Sequence, residues 1–212
     1  EPDRLAEGVN LEMCGRYQLD ADMEEILQYY GIVKGWDASR TPDHMSEIFP
    51  SNTVPVVINR TEKELVPMKW GFASPNGKGL IINSRGETVD YKPMFRKAFR
   101  QKRCLVPANA FFEWSRAGRE STKYRVHMKQ APIFSIAGIY EDFLDRNGDS
   151  YPAFSILTTT PNPLIFPIHD RMPVILPRER EDTWLDNGIR DYSVLKSLMQ
   201  PYREEEMAME KA

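Results

Sequence analysis

A chain of 212 residues that is 41% hydrophobic and 11% aromatic can bury a sizeable core, which excludes a disordered segment. A formal net charge of −3 excludes a protein that binds nucleic acid by bulk charge. No apolar run approaches the roughly eighteen residues of a helical membrane span, and two cysteines cannot frame a disulfide-stapled fold.

The first twelve residues have no basic start, apolar centre or small-residue cleavage site, so they are not a secretory signal, and a cytoplasmic location is expected. They read as a flexible leader or expression remnant (1–12) before a domain over 13–200 and an acidic tail over 201–212. Asp20 offers an N-cap for a helix in which Met23, Ile26, Leu27 and Tyr30 recur at helical spacing until Gly31 stops it. A loop rich in Pro, Asp and Ser follows over 36–52. Runs of β type cover Val54–Asn59 and Leu65–Phe72, the second across Pro67.

Pro93–Arg103 predicts a helix started by proline, with Met94, Phe95, Ala98 and Phe99 inward and a basic outer face. Strands are predicted over Cys104–Trp114, Tyr124–Met128, Ile133–Tyr140, Phe154–Thr160 and Pro173–Leu176, bounded by signals such as Asn147-Gly148. Two shorter helices follow, near Arg178–Asp186 and Ser193–Met199. Strands with scattered helices and no βαβ alternation predict a single α+β domain: a curved, mostly antiparallel sheet or barrel-like core with peripheral helices. Charge is uneven along the chain. Seven basic residues (Arg85, Lys92, Arg96, Lys97, Arg100, Lys102, Arg103) stand against Glu87 and Asp90 within 85–103, and the tail carries Glu204, Glu205, Glu206 and Glu210.

Met13-Cys14-Gly15-Arg16 is the segment with the most chemistry in it. Cleavage after Met13 would leave Cys14 with a free α-amine of pKa about 7.7–8.0 beside a thiol of pKa about 8.5. This 1,2-aminothiol condenses with an aldehyde to an imine, and the thiol then closes onto the same carbon to give a thiazolidine. The competing reading is a chance tetrapeptide around a small buried hydrophobe. Three further polar clusters fall at predicted strand ends or loops: Asn83-Ser84-Arg85-Gly86-Glu87, Phe111-Phe112-Glu113-Trp114 and His169-Asp170-Arg171-Met172-Pro173.

Taken with Trp70-Gly71-Phe72, Arg103-Cys104-Leu105-Val106-Pro107-Ala108 and Thr158-Thr159, these clusters closely resemble, in order, the SOS-response-associated peptidase (SRAP) family. The resemblance runs from Met13 to about Leu195. It implies a sensor of abasic sites in single-stranded DNA that crosslinks itself to the ring-opened sugar aldehyde through an N-terminal cysteine. It further implies Cys14 as nucleophile, Asn83 holding the cysteine backbone and amine, Glu113 as acid–base residue, and His169 assisting at the sugar and its phosphate. The family name reflects a proposed autoproteolysis that exposes the cysteine.

The residue chemistry agrees with these roles. Imine formation needs a neutral amine and a group that protonates the departing hydroxyl; a carboxyl between Phe112 and Trp114 suits, because an apolar pocket raises its pKa. Asn83 can orient an amine without protonating it. Of three histidines, His169 precedes Arg171, whose guanidinium suits a phosphate, whereas His44 and His127 have surface or strand roles. Arg16 and Arg85 are placed to fix phosphates. Trp70 and Trp114 can stack on bases or, alternatively, pack in the core. The helix bearing Arg96, Lys97 and Arg100 either extends the phosphate track or is a solvated face.

Thirteen residues precede Cys14, and while they remain its nitrogen is an amide. An expression remnant, an upstream start and a leader removed by autoproteolysis are the three origins; a remnant or annotation origin is preferred, and autoproteolysis at the Met13–Cys14 bond stays open. Ala108-Asn109-Ala110 stands where relatives carry Ala-Asp-Gly, a change that touches no catalytic group. Cys104 reads as structural. No cofactor is expected, and no metal, since two Cys and three His lack ligand spacing. The expected partner is single-stranded DNA with abasic sites, bound by a monomer without a membrane. Three functions stay open: crosslinking with strand cleavage through the same imine, a cysteine peptidase using Cys14 with His169 as base, and a non-catalytic reader of DNA or modified bases.

Overall fold

Two sheets share this chain, and the stretch predicted as one strand over Cys104–Trp114 is where it passes between them. The computed structural model describes residues 15–33, 45–117 and 120–212, so the leader, Cys14, His44 and residues 36–44 of the predicted loop lie outside it. The first half contains β1 (Arg16–Leu19), α1 (Met23–Tyr30), β2 (Met45–Ile48), β3 (Thr53–Asn59), β4 (Lys63–Trp70), β5 (Phe72–Ala73), β6 (Leu80–Ile81), β7 (Asn83–Arg85) and α2 (Pro93–Gln101). The second half contains β8 (Arg103–Ala108), β9 (Ala110–Ala117), β10 (Glu120–Met128), β11 (Phe134–Leu144), β12 (Ser150–Thr159), β13 (Met172–Pro173) and β14 (Ile175–Leu176). It ends with α3 (Glu181–Leu185), α4 (Tyr192–Ser197) and β15 (Met207–Lys211).

The larger sheet closes on itself. β12 pairs with β4, β4 with β3, β3 with β8, β8 with β11, and β11 returns to β12, giving a five-stranded barrel with one parallel step, β12–β4. β7 and β13 attach to β12, and β14 to β11. Closure leaves few open edges, and strands in such a barrel are buried on both faces where helices cover them. β8 is accordingly buried along its whole length, and Val54, Val56, Val57 and Ile58 of β3 are at 0% exposure. Pro55 faces Pro67 across β3–β4, and β3 meets β8 at Val57↔Leu105, past the proline that has no N–H to give. Gly138 on β11 crosses Cys104 so closely that a Cβ there would lie 2.8 Å from the sulfur. Cys104 is fully buried, the structural role expected of it.

The second sheet runs β15-β10-β9-β1-β2, entirely antiparallel. Asn109 is the switch between sheets. Its N–H donates to Gln18 C=O (2.8 Å), its Oδ1 accepts from the Asp20 N–H (2.5 Å), and its Nδ2 donates to Pro132 C=O. These bonds satisfy a bent backbone, so β8 and β9 are separate strands.

Three other expectations are corrected. The N-cap of α1 is Asp22, not Asp20: Asp22 and Glu25 form a reciprocal capping box, while Gly31 caps the C-terminus in the left-handed conformation at φ 65°. Arg103 belongs to no basic stripe. It is fully buried, donating to the carbonyls of Trp184 (2.7 Å), Phe99 (2.7 Å), Arg100 (3.1 Å) and Asp186 (2.5 Å), so it caps two helix ends. Finally, 201–212 is no appended tail, because Met207–Lys211 pairs with β10 from Met128 to Tyr124 and Met207 is 2% exposed. Among the described residues no helix is long and apolar enough to cross a membrane.

Candidate active site

Glu113 lies in the middle of β9 and is 1% exposed. Successive strand residues point to opposite faces, so Phe112 and Trp114 do not wall its carboxyl, as the sequence suggested. They carry a second cluster on the other face. His169 meets Glu113 instead, its Nε2 4.0 Å from Oε2, a gap that one substrate oxygen can bridge.

His169 ends a pair of helical turns, its N–H donating to Ile165 C=O (3.0 Å). The Arg171 N–H donates to Nδ1 (3.1 Å), which leaves the imidazole hydrogen on Nε2, the nitrogen nearer Glu113. Burial holds the imidazole below its ordinary pKa, against the pull of the Asp170 carboxylate 3.1 Å from Nδ1. The balance favours the neutral ring.

Asn83 opens β7, which pairs in parallel with β12 as Asn83↔Ile156 and Arg85↔Thr158. Arg171 ties this segment to the histidine loop. Its guanidinium grips Glu87 with two bonds (2.5 and 2.8 Å) and donates to the Thr158 C=O (2.7 Å), and it is 8% exposed. The bonds from Arg171 hold the Glu87 carboxyl below its usual range. Arg171, expected at a phosphate, thus staples two site loops together. Arg85 is exposed at the same end of β12.

The other face of β9 holds Arg16 and Trp114. Arg16 pairs with Phe112 in register, so the chain enters β1 beside Glu113. Its guanidinium lies 4.4 Å from the Phe49 ring centre and 5.2 Å from that of Trp114, and it bonds Glu47 (3.0 Å). Sequence reasoning missed three members of this cluster. Lys123, opposite Trp114 in β10, sits 4.0 Å above Phe112 and bonds both Glu47 oxygens at 2.9 Å; Phe49 is 41% exposed. Burial works against the Glu47 charge, but the bonds from Lys123 and Arg16 prevail and hold its pKa down. Lys123 lies just before the strand predicted over Tyr124–Met128, so only the observed register of β10 with β9 reveals it.

Trp70 is not at this site. It is fully buried, donates its indole N–H to Ile82 C=O (3.1 Å) and stacks on Phe154 at 6.3 Å, so the core alternative holds and its ring is closed to a base. The basic stripe divides too. Lys102 is engaged by Glu141 and Asp142 and Lys97 lies 3.8 Å from Glu141, while Arg96 and Arg100 are exposed on α2. Among the described residues no group of three or more His, Cys, Asp or Glu is arranged to hold a metal ion.

The family model of the SOS response associated peptidase (SRAP) matches residues 13–212. The chain belongs to the SRAP family. YoqW of Bacillus subtilis, named an abasic site processing protein, is 35% identical over 203 residues, covering 92% of this chain and 90% of YoqW. YedK of Escherichia coli, which bears the same description, is 27% identical over 84% of this chain and 81% of its own. A protein from Bacteroides thetaiotaomicron solved by X-ray crystallography superposes with a TM-score of 0.83 at 28% identity, covering 93% of this chain and 91% of that one. The SRAP match takes in the C-terminal strand and all four polar clusters.

Proposed function

We propose that this SRAP protein processes abasic sites in single-stranded DNA by forming a covalent thiazolidine through Cys14 once its α-amine is free. The observation that carries the reading is the buried Glu113 carboxyl, 4.0 Å from the His169 imidazole, on the strand that pairs with the chain just after Cys14. The names of the relatives supply the substrate.

The α-amine adds to the C1′ aldehyde of the opened sugar to give a carbinolamine. Glu113, in its acid form, gives its proton to the departing hydroxyl and one water leaves; the resulting carboxylate takes back the proton on nitrogen as the imine forms. The Cys14 sulfur then adds to the imine carbon, and its proton passes to the imine nitrogen, so the adduct weighs the sum of its parts less one water. His169 holds the ring-opened sugar oxygen, and Asn83 orients the amine. Arg16, Lys123 and Trp114 form a cationic and aromatic bed for one flank of the strand, and Arg85 meets a phosphate near His169. The same imine acidifies the sugar carbon beside it, so strand cleavage by β-elimination accompanies crosslinking. The protein acts as a monomer inside the cell.

Intact-mass analysis tests this on protein beginning at Cys14 and on the 212-residue chain, each incubated with single-stranded DNA holding one abasic site. A heat-stable adduct at the summed mass less one water, from the Cys14-terminal form alone, is expected. No adduct from either form, with spontaneous cleavage after Met13, would transfer the case to a peptidase.

A further inference from the structure

The turns that deliver His169 also carry an aromatic side chain with no place in the core. Residues 162–169 close through the Phe166 N–H to Asn162 C=O (2.9 Å) and the His169 N–H to Ile165 C=O (3.0 Å). Pro167 has no N–H to donate, which keeps the turns from joining a longer helix. Ile165 is fully buried, whereas Phe166 is 72% exposed.

Single exposed apolar side chains are ordinary and mean little alone. Rigidity and position set Phe166 apart. Asn162, 4% exposed, anchors the turns: its Oδ1 accepts from the Ile165 N–H (3.0 Å) and its Nδ2 donates to Tyr202 C=O (2.8 Å). Pro161, Pro163 and Pro167 restrict the backbone around it. Phe166 lies three residues before His169, inside the turn closed by the His169 N–H to Ile165 C=O bond, so its ring rises from the segment that delivers the imidazole. His169 in turn reaches Glu113. The ring is thus carried on the loop that ends in His169, which Arg171 ties to Thr158 at the end of β12, where Arg85 pairs in register.

We infer that Phe166 is a base-stacking residue, covering the face of the nucleobase next to the lesion on the His169 side. The inference rests on the single-stranded abasic DNA reading above. An abasic nucleotide leaves one face of its neighbour uncovered, and a rigid phenyl ring has the size and apolarity to replace the missing partner whatever the sequence. Phe49, over Arg16, belongs to the separate cluster on the face of β9 turned away from Glu113.

The test uses the full chain and single-stranded oligonucleotides in which tetrahydrofuran replaces the abasic sugar. With no aldehyde, only noncovalent binding is read. A 2-aminopurine placed on the 5′ or the 3′ side of the analogue reports stacking. Wild-type protein should quench the probe that adjoins His169, and Phe166→Ala should lose that quench and bind about 5–100-fold more weakly. The salt slope and the melting temperature should stay unchanged, because the ring contacts neither a phosphate nor the core. Phe166→Trp should retain both affinity and quench. Equal binding by wild type and Phe166→Ala, a Trp variant as weak as Ala, or a changed salt slope would overturn the inference while leaving the proposed function intact. No binding of any oligonucleotide by wild type would sink both.

Discussion

A carboxyl at 1% exposure exchanges protons only through its neighbours, and for Glu113 these include the His169 imidazole. Glu113→Gln preserves shape and removes the proton. It should slow adduct formation by ~10²–10⁴-fold in single-turnover kinetics while leaving the affinity for tetrahydrofuran DNA near wild type. A proportional loss of both would make Glu113 structural. Arg171 and Glu87 act one step further out, on the placement of His169. The folded Glu87 pKa is lowered, so the stabilisation from its pair is present above the unfolded carboxylate range and lost as pH falls through the folded value. Glu87→Gln should therefore melt below wild type at pH 7, and the two melting curves should converge at acid pH. An unchanged gap at all pH values would assign the difference to packing.

At the level of elements, Asn109 and Arg103 decide more than their charges suggest. Apolar runs made barrel strands such as β3 and β8 legible in the sequence, because burial on both faces leaves long hydrophobic stretches, whereas α2 was legible from its first proline and the spacing of its inward residues. The break at Asn109 was hidden because a single polar residue between alanines also fits one continuing strand; only its three bonds to Gln18, Asp20 and Pro132 show that the chain bends into another sheet. Arg103 reads in the sequence as one of seven basic residues of a cationic stretch because sequence gives charge and not burial. Burial lowers its pKa to about 10, and it remains charged at neutral pH. Arg103→Ala leaves several buried carbonyls without donors, each costing about 1–3 kcal/mol. A loss of at least ~3 kcal/mol, or roughly 6–12 °C in melting temperature, is expected. Arg103→Lys should recover part of it. An alanine variant that melts with wild type would refute the capping role.

For the whole molecule, the last strand and the active site are one system. Asn162 donates to Tyr202 C=O and lies 3.2 Å from the Met207 sulfur, so the C-terminal segment supports the turns that end in His169. Those final residues read as a tail because glutamates surround a short apolar alternation, and the pairing with β10 is visible only in three dimensions. Deleting 207–212 should reduce crosslinking at a temperature where circular dichroism still reports a folded barrel; retained activity would separate the two. The four polar clusters were legible as a set, but their geometry was not, since Glu113 and His169 are brought together by the way the barrel and the second sheet meet. The crossing of Gly138 over Cys104 reaches beyond the fold. With its thiol fully buried and its pKa pushed well up by burial, Cys104 is closed to maleimides and iodoacetamide in the native state. Any thiol dye that the native 212-residue chain takes up would therefore read the accessibility of Cys14, with no background from Cys104 to engineer away.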